Sequence, residues 1–418
     1  MLEEFLHNFA HNLFKPLLLF FYMGFLIPIL KVPFEFPKAV YQGLTLYLLV
    51  AIGWHGGEEL ASLSLAEFGQ ALGFMVIGFF TNLLIGILAY HTLKRTTKLR
   101  EVDAATVAGF YGSDSAGTFV TCLGVVTAAK IAYAAYMPVL LAVMEIPGCL
   151  VALYLVSRLR QKGMDPQGNM PGEAGYQPVH RSALAMEGSD GGEVALNTEG
   201  QPLSQPQAHT THAPATTAVA DKVQTETHRE LAAELDEEKK PIFSKELLHE
   251  VFLNPGLYLL FGGIVIGFLG RLQGKAVTNV DDNLFVNIFH GMLCLFLLEM
   301  GITACRRLKD LKTAGWRFII FGVAAPNLFA IFGILVAHAY SMVLGEHFDL
   351  GTYALFAVLC AAASYIAVPA VQRLAIPEAS PTLPLAASLG LTFTYNVTIG
   401  IPLYMLIAQL VMNSFPVG

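Results

Sequence analysis

Ten apolar runs, most of about the length needed to cross roughly 30 Å of hydrocarbon, leave this chain little choice of environment. They occupy residues 17–30, 38–53, 65–93, 104–126 and 133–156, and, after a long polar stretch, 255–269, 284–300, 316–343, 352–371 and 383–411. Only 14% of residues are charged and the mean hydropathy is +0.56, where soluble domains carry about a quarter charged. The expected class is therefore an all-α polytopic membrane protein. The start, Met-Leu-Glu-Glu, lacks a basic leader, so the first run reads as a span rather than a cleaved signal.

The same composition excludes several functions. The net charge of −7 lies in loops and the central polar stretch, which gives no basic surface for nucleic acid. Five cysteines are scattered singly without a Cys-x-x-Cys pair, so neither a disulfide framework nor a zinc site is indicated. There is no His-Glu-x-x-His, no Walker loop and no pair of membrane aspartates that could share a proton. An enzyme, including an intramembrane hydrolase, is not expected.

Two groups of five runs suggest an internal repeat. The run ending Val50-Ala51-Ile52-Gly53 is matched weakly by the one containing Leu297-Leu298-Glu299-Met300-Gly301, and each half closes on a proline-bearing run (Pro147; Pro402). Because five is odd, homologous halves would sit upside down relative to each other, which places a site where interrupted helices of the two repeats meet at the midplane. The expected division is a first five-helix repeat over 1–160, a disordered cytoplasmic linker over 161–240, and a second five-helix repeat over 241–418. The linker is rich in Gly, Gln, Thr, Pro and His and poor in aromatics, too polar to offset its ordering entropy. Three of its histidines, His209, His212 and His228, lack ligand spacing and read as solvated. A helical pattern over 225–249, broken at Pro241, reads as a cytoplasmic lead-in helix.

Orientation follows from the short loops. With the N-terminus outside, the inner ends collect most of the basic residues, among them Lys94, Arg95, Arg100, Arg158, Arg306 and Arg307, against Lys15, Lys130, Arg271 and Lys275 outside. Both termini are then extracytoplasmic, in a cell (inner) membrane. The turn-like Gly53-Trp54-His55-Gly56-Gly57 reads as an outer loop with Trp54 as an interfacial anchor.

One apolar run is interrupted by chemistry. Residues 109–118, Gly-Phe-Tyr-Gly-Ser-Asp-Ser-Ala-Gly-Thr, carry glycines that each cost a helix about 1 kcal/mol and an aspartate costing about 2.5–3.5 kcal/mol at the bilayer centre. Irregular backbone survives at that depth only where it is buried in protein or lines a cavity, and the helix end it creates offers free N–H groups to an anion. Close helix packing through Gly112 and Ser113 is the competing reading. Other ionisable groups lie in or near the runs. Glu145 precedes Pro147 and either holds a cation or caps the gap that the proline opens. Glu299 is compensated by Arg306 and Arg307, and His290 is interfacial.

Several short motifs then fall in one order: Ile52-Gly53 with Gly56-Gly57, Arg100 with Val102-Asp103-Ala104, the run over 109–118, Met144-Glu145-Ile146-Pro147, Met300-Gly301, and Ile376-Pro377 with Pro381. In that order and spacing the chain resembles the sodium-dependent bicarbonate transporters, the SbtA family. The resemblance implies a homotrimer of ten-helix protomers, each with a gate part and a mobile core, and a PII-like regulatory protein docking on the cytoplasmic face. The chain departs from the family pattern at residues 361–369, Ala-Ala-Ala-Ser-Tyr-Ile-Ala-Val-Pro, which lack most of the hydroxyls and the acid, and at Asp114, where the pattern is uncharged.

The expected function is a secondary transporter that brings bicarbonate inward with sodium by alternating access. The anion is assigned to Gly112, Ser113, Ser115, Gly117 and Thr118 and to the facing Ala363, Ser364 and Tyr365. Sodium, the transported ion, is assigned to Asp114 and Ser115 with Glu145 and Asn396. A sodium- or proton-coupled carrier of another small anion such as a short carboxylate, and a non-transporting membrane sensor of the same fold, are the alternatives.

Overall fold

Every regular element of the computed structural model, which describes residues 14, 16–177, 255–308, 311, 315–365 and 367–417, is helical. The expectations for the linker beyond residue 177 and for the lead-in helix fall outside these residues. In chain order the helices are α1 (Pro16–Ile29), α2 (Lys38–Leu60), α3 (Leu65–Thr96), α4 (Glu101–Tyr111), α5 (Ala116–Ala128) and α6 (Met137–Gln161). They continue with α7 (Pro255–Gln273), α8 (Lys275–Leu308), α9 (Trp316–Leu344), α10 (Leu350–Ala361), α11 (Ala367–Ala375) and α12 (Leu383–Ser414). Six of them, α3, α6, α7, α8, α9 and α12, are long and apolar enough to cross a membrane. The ends of α3 show how the sequence sets its limits. Ser64 and Glu67 form a reciprocal capping box at its start, and Lys94 and Arg95 occupy its last turn, where a cation suits the helix dipole.

Glycine brings α2 against α7 and α1 against α8. A Cβ on Gly53 would stand 2.3 Å from Leu260 O, one on Gly57 2.1 Å from Ile264 O, and one on Gly267 2.2 Å from Trp54 O. Gly24 and Gly301 play the same part, against Leu298 O and Phe21 O. Lipid supplies no hydrophobic drive for helix association, so backbone-to-backbone contact of this kind supplies packing instead. These glycines correct the reading of residues 53–57 as an outer turn. They lie inside α2, and Trp54 is buried, its Nε1 donating to Asp282 Oδ1 at 3.1 Å. The local signal was glycine-rich, but the glycines serve close approach rather than a change of chain direction.

Two helices are broken. The first break, residues 112–115, separates α4 from α5; the second, residues 362–366, separates α10 from α11. The four pieces have 11, 13, 12 and 9 residues, each about 14–20 Å long and so about half a bilayer. α6 is kinked at Glu145–Pro147, where proline cannot donate to the preceding turn. α12 contains two π-helical stretches, Ala386–Phe393 and Asn396–Gly400.

At one end of the molecule a polar knot joins α4, α6 and the segment after α11. Arg100 is paired with Asp103, donates to Gln167 O and Glu378 O, and Asp103 accepts from Ser380 N. Arg160 is paired with Glu378. Residues 162–177, which the sequence reading grouped with the linker, form a strap of turns in this knot, with Asp165, Asn169 and Met170 buried. Glu173 accepts from the N–H of Glu101, at the start of α4. Gly168 has φ +85°, and a Cβ there would lie 2.9 Å from Glu378 O, so backbone conformation and contact both demand glycine.

Candidate functional site

The two breaks meet. Ser364 N donates to Phe110 O at 2.8 Å, so the backbone of the second break is tied to the last turn of α4. α5 and α11 both begin at this crossing, and α4 and α10 both end there. Two N-termini and two C-termini therefore converge, the former offering N–H groups and the latter carbonyls.

The kinked α6 completes the arrangement. Ser113 Oγ donates to Glu145 O, Asn82 Nδ2 donates to Met144 O at 3.0 Å, and Ser364 Oγ donates to Glu145 Oε1 at 3.2 Å. Carbonyls loosened by the proline kink are thus taken up by side chains of α3 and of the first break, while the Glu145 carboxylate reaches the second break. Asp114 is fully buried, and neither of its oxygens has a hydrogen-bond partner. An ionised carboxylate left so would cost several kcal/mol, and Asp114 is the site's acid for which the described residues supply no hydrogen bond.

The remaining assigned residues divide by what they touch. Ser115 is the N-cap of α5, its Oγ accepting from Thr118 N and Thr118 Oγ1, so Thr118 is engaged locally. Gly112 packs: a Cβ there would lie 3.0 Å from the Cα of Gly86 and 3.1 Å from that of Gly148. Gly117 faces Tyr365, whose hydroxyl a Cβ would strike at 1.8 Å and which has no hydrogen-bond partner of its own. Ala363 and Ser364 are buried in the second break beside it. Asn396 is committed elsewhere, its Nδ2 donating to Ala361 O at 3.0 Å and its Oδ1 accepting from Tyr404 at 2.7 Å. It closes the last turn of α10, so both polar atoms of this residue, assigned above to sodium, are engaged within the protein.

Sequence reasoning passed over Asn82, fully buried with its Oδ1 unpartnered. The signal was present, since Thr81-Asn82 interrupts an apolar run and polar side chains there are expensive. It also passed over Gln372, buried on α11 and donating to Thr106 O at 3.1 Å. Gln372, Thr106, Phe110 and Ser380 line a cleft of about 90 Å³ between the polar knot and Phe110, whose carbonyl is part of the crossing. Glu299 receives a hydrogen bond from Thr303, one turn along α8, and Arg306 follows a turn later.

A sequence model described as the Na+-dependent bicarbonate transporter superfamily matches residues 16–409, nearly the whole chain and both broken helices. The chain belongs to the Na+-dependent bicarbonate transporter superfamily. A search of curated proteins returned no match. Membership in this superfamily makes the protein a transporter and not an enzyme, and its helices are those of a multi-pass membrane protein. For a bicarbonate transporter the crossing has suitable chemistry: N-terminal helix ends for an anion, and an unsatisfied carboxylate for a cation.

Proposed function

We propose that this chain carries bicarbonate inward with sodium by alternating access, and that the crossing of the two broken helices is the transport site. The observation that carries the reading is Asp114, buried without a hydrogen-bond partner where two helix N-termini converge. An anion sits against the first-turn N–H groups of α5 and α11, with Tyr365 as a hydroxyl donor above Gly117. Sodium sits on Asp114 and Ser115, with Glu145 beside them. The inner route is the cleft along Gln372.

Coupling to a cation has a direct energetic reason. Bringing one negative charge in against an inside-negative potential costs about 2.3 kcal/mol per 100 mV, which a co-transported sodium offsets. The pairing of broken helices, α4–α5 with α10–α11, supports two inverted five-helix repeats, with the helices of 16–161 forming one and those of 255–414 the other. The basic residues of the polar knot support a cytoplasmic position for that end, with both termini outside. A homotrimer and a PII-like partner on the cytoplasmic face complete the proposal, and rest on the family resemblance alone.

Proteoliposomes test it. Labelled bicarbonate should accumulate when sodium is imposed outside and should not when potassium replaces it. Unlabelled formate or acetate in excess should leave that uptake intact; strong competition by either would assign the site to a short carboxylate instead. Absence of any sodium-driven solute uptake would leave the sensor reading.

A further inference from the structure

We propose that the seam between α3 and α9, at the end that carries the polar knot, binds an anionic phospholipid. Its phosphate sits on Arg95, Lys98 and Arg317, and its acyl chains lie along the exposed aliphatic faces of the two helices. The inference stands apart from the transport reading above.

The seam is fastened at both ends. Arg317, in the first turn of α9, donates from Nη1 to Thr96 O, in the last turn of α3, at 3.3 Å. Tyr340, near the other end of α9, donates to Gln70 O, near the start of α3, at 2.9 Å. The two helices therefore run antiparallel and side by side over most of their length. Lys94 is taken by Glu101 at 2.7 Å. Arg95, Lys98 and Arg317 are exposed, and among the described residues none of them is paired with an acid. The contact with Thr96 leaves most of the Arg317 guanidinium's donors free, and that group lies over the Trp316 ring, 5.5 Å from its centroid. An exposed tryptophan beside unpaired basic groups suits the headgroup level of a bilayer, where clustered cations attract anionic lipid.

Below the cations the surface is aliphatic. Leu88 and Leu84 follow Arg95 along one stripe of α3, Ile320 and Leu328 follow Arg317 along one stripe of α9, and all four are exposed. Leu84 and Leu328 each stand eleven residues from the cation at the head of their stripe. That is about 16 Å along a helix axis, close to the hydrocarbon depth of one leaflet. A phospholipid supplies a phosphate for the head and chains of that length below it, whereas a soluble anion would use the head alone. Both helices also hold the crossing. Gly86 of α3 packs on Gly112 at the first break, and on α9 Phe321 meets the Tyr111 ring while Gly322 O accepts from Thr392.

The test measures lipid binding to the intact, assembled protein in detergent by native mass spectrometry, with phosphatidylglycerol and phosphatidylcholine of identical chains titrated in turn. One cation at the membrane surface strengthens contact with an anionic headgroup about fivefold, so three predict roughly a hundredfold preference for phosphatidylglycerol at low salt, shrinking as salt is raised. The triple variant Arg95→Gln, Lys98→Gln, Arg317→Gln should lose that preference while binding phosphatidylcholine as the wild type does. Because Arg317 also holds Thr96 O, the double variant Arg95→Gln, Lys98→Gln is measured beside it, and alone should cut the preference about twenty-five-fold. Lys130→Gln, Arg271→Gln, Lys275→Gln, which removes three cations from the loops assigned above to the other side, should keep it. Phosphatidylglycerol should raise the melting temperature of the wild type and leave that of the triple variant unmoved. A wild-type preference below about tenfold, or one that the double and triple variants retain, overturns the site. Displacement of the lipid by equimolar glycerol phosphate overturns it in favour of a soluble phosphate. A changed oligomeric state in either seam variant overturns it in favour of a contact between copies of this chain.

Discussion

Asp114 and Gly148 sit within a few residues of the same crossing and yield opposite kinds of prediction. Asp114→Asn preserves shape and removes a charge, so sodium-dependent uptake should largely vanish while the purified protein melts near the wild-type temperature. Unchanged sodium dependence of uptake in that variant would return the run over 109–118 to a packing motif. Gly148→Ala adds only a methyl, but its Cβ would stand 2.0 Å from Gly109 O and 2.4 Å from Ser113 Oγ. Overpacking of this sort costs about 1–3 kcal/mol, and the expected readout is a clear drop in melting temperature in detergent. Gly43→Ala, with nothing within 4 Å of its Cβ, is the control and should melt no lower than wild type. At this scale the sequence announced Asp114 by cost alone. It could not tell Gly112, which packs, from Ser115, which caps, because both are small residues in one short run.

Among the elements, the π-helical region of α12 shows how a local irregularity holds the site from behind. Asn396 closes the end of α10 and Thr392 donates to Gly322 O on α9 while bonded to Tyr111 of α4. Asn396→Leu would leave Ala361 O and the Tyr404 hydroxyl unmet in the interior, at about 1–3 kcal/mol each. The variant should therefore lose thermal stability, and whatever protein survives should keep its half-saturating sodium concentration. A large rise in that concentration would instead restore Asn396 as a ligand. The interruption of the fourth apolar run was legible from glycine and hydroxyl content. The register of the second break was less so, since Ala361-Ala362-Ala363 is as good a helix sequence as any. What stops α10 is the arrival of α4, whose Phe110 carbonyl captures Ser364 N.

For the whole molecule, the polar knot is the place where sequence-distant segments are held to one another. Its ion pair between Arg160 and Glu378 is partly exposed and worth about 0–1 kcal/mol, so it positions the segment after α11 against the end of α6 more than it stabilises the fold. Deleting 178–219 should leave assembly and uptake intact. Extending the deletion back to 163 removes the partners of Arg100 and Glu101 and should lower both stability and uptake; equal behaviour of the two deletions would show the strap to be inert. Topology is checked by labelling with an impermeant thiol reagent in sealed cells, where Ser414→Cys should react from outside and Arg160→Cys should not. The apolar runs, the bias of basic residues and the glycine-hydroxyl interruption are properties of local composition, and from them the sequence alone determined a polytopic helical protein with a helix broken near residue 114. Which small residues pack and which cap, that Trp54 is interior, and that Asn82 and Ser113 meet the carbonyls of the α6 kink were decided only by tertiary structure. They depend on which backbones come within contact distance of one another, and residues 82, 114, 145 and 364 are neighbours only once four separate helices have met.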